Sequence, residues 1–127
     1  MEGIGEGFDF LHVSLTAPNS SLYSRIDQRV EKRLKQGLLN EIQKLLITYS
    51  WRHPGLNTLA YKEFKPYFEN QKSVESSIQA WRFDEHAYAR RQKTWFKKYS
   101  NIFFFDITQT KYPDNLINLV DKWYNEL

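Results

Sequence analysis

The chain has 127 residues, enough for one ordinary domain with a buried core. Its composition, 41% hydrophobic and 26% charged, excludes a disordered chain, and the lack of cysteine excludes disulfides, thiolate nucleophiles and cysteine-bound zinc. The net charge of +3 identifies no partner, and the apolar runs are too short to span a membrane, so we expect a cytoplasmic protein with no membrane partner.

The first predicted elements are a flexible leader, a strand and two helices. Three glycines without an apolar period indicate that residues 1–7 form the leader. Alternating apolar and aromatic residues predict a strand over Phe8–Leu15. Helix-start residues at Pro18–Ser21 open a helix that continues at helical spacing until Gly37, and a second helix is predicted over Leu38–Thr48.

The second half of the chain is predicted to hold a short helix over Leu59–Phe68, a long helix over Ser73–Tyr99, a strand over Ile102–Phe105 and a helix over Asp114–Glu126. Two lone strands around a helical middle are marginal by themselves. We therefore expect residues 8–127 to form a mostly helical α/β segment with two edge strands of a larger sheet and about five helices. The side chains expected to face the core are Val74, Ile78, Trp81, Tyr88, Trp95 and Tyr99 on the long helix, and Leu116, Leu119, Val120 and Trp123 on the last.

Basic side chains recur on one side of two predicted helices. On the long helix they fall within an arc of about 80°. One interpretation is an ordinary solvated face, in which Asp27 and Glu31 offer compensating partners. The other is phosphate binding, for which the rigid guanidinium fork is well suited. The basic residues are Arg82, His86, Arg90, Lys93 and Lys97 on the long helix, and Arg25, Arg29, Lys32 and Arg33 on the first.

Other chemistry is not indicated by the pattern. Trp51, Tyr61, Trp81 and Trp95 have the ring size to stack on unpaired bases, although tryptophan at helical spacing is usually core. The three histidines have no partner at metal-ligand spacing, adjacent carboxylates such as Asp84 and Glu85 point apart, and the N-terminal glycines lack the context of a phosphate loop. The sequence thus predicts no metal site and no catalytic acid–base pair in this chain.

Three segments carry a family resemblance. They are LYSRIDQRVEKRLKQGLLNEI, LAYKEFKPYFE and YARRQKTWFK, in that order along the chain. Together they resemble the tRNA dimethylallyltransferases, the isopentenyl transferases that act on tRNA. The resemblance covers about Phe8–Asp106 and corresponds to the C-terminal part of that family's P-loop-type transferase core.

The resemblance implies transfer of a dimethylallyl group from dimethylallyl diphosphate to N6 of adenine 37 in tRNA, with Mg²⁺ holding the diphosphate. In the family, the P-loop and the proton-accepting aspartate lie in the N-terminal half, and no segment here matches either. The implied partners are the tRNA anticodon stem-loop and an N-terminal P-loop half. We therefore expect no catalytic residue in this chain and no transfer by the chain alone.

The resemblance also assigns roles by position. The chain departs from the family pattern at Ala60, where a glycine is usual, at Glu85 and His86, where threonine and arginine are common, and at Asn19, where arginine is frequent. These departures keep two other hypotheses open: a stand-alone RNA-binding helical module and an inert remnant. The assigned residues are Arg29, Arg90 and Arg91 for the diphosphate; Arg25, Lys62, Arg82, His86, Lys93 and Lys97 for tRNA; and Gln92, Trp95 and Tyr61 for bracing.

Overall fold

A computed structural model describes residues 7–127, so the predicted leader falls, apart from Gly7, outside the described residues. Within that range the mostly helical α/β class with two strands and five helices is confirmed. The elements are β1 (His12–Thr16), α1 (Asn19–Lys35), α2 (Leu38–Thr48), α3 (Lys65–Phe68), α4 (Val74–Phe96), β2 (Ile102–Asp106) and α5 (Asp114–Asn125), with short 3₁₀ turns at Pro54–Leu56 and Lys62–Phe64.

The chain divides into two compact units. The helical unit is Ser20–Arg91, and the sheet unit joins the residues up to Asn19 with Gln92–Leu127. In residues 7–127, no helix has both the length and the apolar character needed to cross a membrane.

In the sheet unit, β1 and β2 pair in parallel, with His12 opposite Ile102 and Thr16 opposite Asp106. The predicted start at Phe8 is wrong: the ladder begins at His12, because β2 offers only five residues for pairing. The pair leaves much apolar surface uncovered, as expected of edge strands. Its exposed side chains are Val13, Leu15, Phe103 and Phe104, and Phe8 and Phe10, which precede β1, are exposed as well.

Helix α5 belongs to the same unit and follows its predicted pattern with one exception. Leu116, Leu119 and Trp123 are half-buried, as their spacing predicts. Val120 is exposed, against the prediction, because at about 100° per residue it lies at the margin of the stripe that these three residues form.

The core of the helical unit is built from pairs of residues one helical turn apart. Ile26 and Val30 come from α1, and Leu38 and Ile42 come from α2. Trp81 of α4 closes the core with no exposed surface, which excludes it as a base-stacking residue. The full buried cluster is Ile26, Val30, Leu38, Ile42, Ala60, Phe64 and Trp81, and the Phe64 and Trp81 rings meet edge to face at 6.0 Å.

The apolar stripe predicted for α4 reaches the core only in the first half of the helix. Val74 and Ile78 pack beside Trp81, whereas Tyr88 and Trp95 are exposed. The helix was also expected to continue to Tyr99. It ends at Phe96, and the amides of Lys98 and Tyr99 donate to carbonyls three residues back, a tightening typical of helix ends.

Replacing Trp81 with alanine is expected to lower the free energy of unfolding by about 3–5 kcal/mol, because a fully buried indole leaves a cavity. The matched control is Phe83→Ala, two residues further along the same helix, where the side chain is 69% exposed and the change should stay within about 0.5 kcal/mol. Urea unfolding followed by circular dichroism measures both. Equal losses in the two variants would contradict this account of the core.

Candidate functional site

Charged side chains join α1 to α4 within the helical unit. The pairs are exposed or half-exposed, so each adds about 0–1 kcal/mol to stability. Their larger effect is to orient the cations that the sequence singled out. The three contacts are Arg29 Nη2 to Glu85 Oε2 at 2.9 Å, Arg82 Nη2 to Glu31 Oε1 at 3.3 Å, and His86 Nε2 to Asp27 Oδ1 at 2.8 Å.

Arg29 is held from the core outwards. The buried Trp81 donates from Nε1 to Glu85 Oε1 at 3.1 Å, and the other oxygen of Glu85 accepts from Arg29. The Glu85 side chain is 11% exposed, whereas that of Arg29 is mostly exposed. A guanidinium carries five N–H donors, and this contact uses one of them. Arg29 is therefore anchored while keeping donors for another acceptor.

In the sequence, Glu85 was counted as a carboxylate next to Asp84 and as a departure from threonine, and its contact with Arg29 was missed. It lies four residues after Trp81, so both side chains stand on the same side of α4. That spacing is the signal that locates it.

Arg90 is fixed by an aromatic partner on α1. Its Nη1 donates to the Tyr23 hydroxyl at 2.9 Å, and its guanidinium carbon lies 5.9 Å from the centre of the same ring. The His86 ring also stacks on Tyr23, with the ring centres 4.2 Å apart and an angle of 12° between the ring planes. Arg90, Tyr23, His86 and Asp27 thus form one connected set.

The structure brings only part of the predicted set together. Arg29, Arg82, His86 and Arg90 belong to the α1–α4 contact network of the helical unit. Arg91 is exposed near the Tyr88 ring at 5.9 Å. The others in the helical unit are Arg25, exposed on α1; Lys62, exposed in the 3₁₀ turn; and Tyr61, half-buried against the core.

The remaining predicted residues belong to the sheet unit. Lys93 donates to Asn19 Oδ1 at 2.8 Å. Trp95 is half-exposed and touches the rings of Phe96 and Tyr99 edge to face. Gln92 is exposed, and Lys97 lies just beyond the end of α4.

Comparison with known proteins identifies the family. The family model described as IPP transferase matches residues 2–99, a range that contains the α1–α4 network. This chain belongs to the IPP transferase family. The tRNA dimethylallyltransferase of Lactococcus lactis subsp. lactis (strain IL1403) is 34% identical over 124 residues, which cover 98% of this chain and 42% of the relative. That of Roseiflexus sp. (strain RS-1) is 37% identical over 110 residues, covering 86% and 36%.

Solved structures agree with this family membership. The full-length tRNA isopentenylpyrophosphate transferase of Bacillus halodurans matches with a TM-score of 0.84 at 25% identity, covering 96% of this chain and 40% of that one. The tRNA delta(2)-isopentenylpyrophosphate transferase of Staphylococcus epidermidis matches with 0.83 at 26% identity and the same coverage. The chain therefore spans about two fifths of the length of these family members.

A buried carboxyl anchors the family's Y-K-E segment. Glu63 is 7% exposed, and its Oε2 accepts from the Ala60 amide at 2.9 Å. Burial, and after it the neighbouring Asp84 carboxyl, together raise the pKa of Glu63 to about 7. Ala60 has a φ of 79°, a left-handed conformation that glycine adopts without strain.

Among the described residues, no group of three or more histidine, cysteine or acidic side chains is placed to hold a metal ion. The site is therefore a set of oriented cations with acidic and aromatic partners. Such an arrangement can bind phosphate oxygens and stabilise negative charge.

The Glu63 carboxyl is expected to make stability depend on pH. Its pKa is about 7 in the folded chain against 4.5 as an ordinary value, so the folded state binds more protons between these pH values. Stability from this group is full below about pH 4.5 and is lost as the pH rises through about 7, by roughly 3 kcal/mol. Urea unfolding at a series of pH values measures it.

Glu63→Gln should flatten this dependence, because glutamine keeps an acceptor for the Ala60 amide and does not titrate. Glu69→Gln, at an exposed glutamate, is the control and should keep the wild-type slope. The same pH profile in wild type and Glu63→Gln would contradict the assignment.

Proposed function

We propose that this chain provides the diphosphate- and tRNA-contacting part of a tRNA dimethylallyltransferase. The enzyme would transfer a dimethylallyl group from dimethylallyl diphosphate to N6 of adenine 37. The observation that carries the proposal is that Arg29 and Arg90, on two helices, are each held by a side chain of the other helix while remaining exposed. The family membership and the names of the relatives support the same reaction.

The proposed role of the arginines follows from the charge that develops in this reaction. As the bond between the allylic carbon and the diphosphate oxygen breaks, the leaving diphosphate gains negative charge, and N6 of the adenine forms the new bond and loses a proton. Cations already fixed in place stabilise that charge without reorganising. Arg29, Arg90 and Arg91 are the proposed ligands of the diphosphate.

Further basic side chains in each unit are the proposed tRNA contacts. Arg25 and Lys62 are exposed in the helical unit, and Arg82 and His86 lie in the network itself. Lys93 and Lys97 are the proposed contacts from the sheet unit. Contacts of this kind position the RNA through its phosphates.

The family resemblance implies a Mg²⁺ ion, but the described residues do not fit a metal site of their own. We therefore assign no step in this chain to the ion. If it is bound in the whole enzyme, the diphosphate and an N-terminal P-loop half would hold it.

The sheet unit supports the proposal of that N-terminal partner. Val13, Leu15, Phe103 and Phe104 are exposed on a two-stranded parallel pair. Parallel sheets are normally covered on both faces, and open apolar edges favour pairing with further strands. A P-loop half that adds strands to this sheet and packs helices on its faces would cover these side chains.

A second candidate is a stand-alone RNA-binding helical module. Exposed cations such as Arg25, Lys62 and Arg91 favour it, because they bind phosphates without any chemistry. It predicts RNA binding that falls steeply with salt and does not depend on dimethylallyl diphosphate.

The function is tested by transfer of labelled dimethylallyl to an anticodon stem-loop with adenine at position 37. The chain is assayed alone and mixed with the P-loop half of a relative. Transfer only in the mixture is the expected result. Transfer by the chain alone would overturn the need for a partner, and RNA binding without transfer in the mixture would favour the second candidate.

In the reconstituted mixture, Arg29→Ala and Arg90→Ala should each lower the rate of transfer by about 10²- to 10³-fold, because each removes a fixed donor to the leaving group. Arg52→Ala is the matched control, since Arg52 is an exposed arginine in the loop after α2 and outside the network. Transfer at the wild-type rate in both network variants would remove the diphosphate assignment.

A further inference from the structure

Phe83 is a large apolar side chain on the basic, solvent-facing side of α4, where an amphipathic helix normally carries polar residues. At about 100° per residue, Phe83 lies on the opposite side of the helix from Val74, which faces the core, and about 20° from Arg90. Its side chain is 69% exposed. Burying a phenylalanine side chain contributes about 1.5–3 kcal/mol to stability, and at this exposed position Phe83 does not make that contribution.

The surroundings of Phe83 form a shallow, open hollow of about 530 Å³, hereafter the Phe83 hollow. Such a volume is in the range of small-ligand sites. The hollow contains an aromatic ring, a carboxamide and several charged groups. Its lining residues are Asp27, Gln79, Ala80, Arg82, Phe83, Asp84 and His86.

The charges of the hollow already have partners. Arg82 pairs with Glu31, His86 contacts Asp27, and Asp84 is a neighbour of the buried Glu63. Two carboxylates in the lining disfavour a phosphate group inside the hollow. A neutral planar ligand with hydrogen-bonding edges suits it better than an anion.

We propose that the Phe83 hollow binds an unpaired RNA base, which stacks on the Phe83 ring while the flanking cations hold the strand's phosphates. Gln79 can donate to or accept from a base edge, and the carboxylates of Asp27 and Asp84 accept from an exocyclic amine. Bases that carry an amine are therefore favoured over uracil. This inference rests on the proposed function, because it assumes that RNA lies along the basic stripe of α4.

Aromatic rings interleaved with cations are the usual device for single-stranded nucleic acids, where each stacked base contributes substantially and with little sequence preference. The Phe83 hollow and the Arg29–Arg90 pair are proposed to bind different ligands. Arg29 and Arg90 are proposed to bind the diphosphate, whereas Phe83 would affect RNA affinity alone.

The test is fluorescence anisotropy of a short, labelled, single-stranded RNA with the full 127-residue chain at fixed salt. Phe83→Ala should weaken binding by about 5- to 100-fold. Phe83→Trp should retain binding, because it keeps an aromatic face, and Phe83→Leu should resemble the alanine variant. A 2-aminopurine in the RNA should lose fluorescence on binding to wild type and not to Phe83→Ala.

The control is Ile47→Ala, which removes an apolar side chain that is 83% exposed on α2, and binding should be unchanged. If wild type binds RNA and Phe83→Ala binds equally well, the hollow is not a base site and the proposed function stands. If Phe83→Leu binds as tightly as wild type, the ring contributes apolar area rather than stacking, and the proposal of a stacked base is overturned. If wild type binds no RNA at low salt, the proposed tRNA contact fails, and this proposal fails with it.

Discussion

The contact between α1 and α4 inside the helical unit determines what this chain can do. Trp81 fills the core, and its indole N–H fixes Glu85, which in turn fixes Arg29. A buried aromatic group thus sets the direction of an exposed cation. Because the donor and acceptor positions follow from packing, Arg29 is oriented before any ligand arrives, which is the condition for effective electrostatic stabilisation.

The carboxylates that orient the arginines of the site also neutralise part of their charge. Glu31 and Glu85 each offset one arginine, Arg82 on α4 and Arg29 on α1, which lowers the attraction of the two basic helix faces for a polyanion. Since exposed pairs contribute little to stability, a phosphate oxygen can compete for the same guanidinium at small cost. The two interpretations of the basic stripe, solvated face and phosphate surface, are therefore not exclusive. The same arginines are paired with carboxylates and remain accessible to phosphates.

The parts of the fold that local pattern determines were predictable. Ile26 and Val30, or Leu38 and Ile42, repeat one turn apart, so the helices and their buried sides followed from spacing alone. Long-range pairing was not. The strand starts at His12 rather than Phe8 because its partner sets the length of the ladder.

The candidate site was predictable in its cations and not in their partners. Arg29 and Arg90 stood out by residue type and family motif. Glu85 did not, because a single carboxylate near a basic stripe has many possible partners until the fold selects one. Glu63 shows the same limit: its position in the Y-K-E segment was visible, but its raised pKa depends on burial and on Asp84, 21 positions away by residue number.

The most direct test of the central claim is a ¹⁵N–¹H spectrum of the 127-residue chain titrated with anticodon stem-loop RNA. The claim is that α1 and α4 together present the surface that contacts the substrate. The account predicts shifts of the Arg29 and Arg90 side-chain signals and of amides along these two helices. A well-dispersed spectrum whose shifts are absent, or confined to α2 and α5, would contradict it.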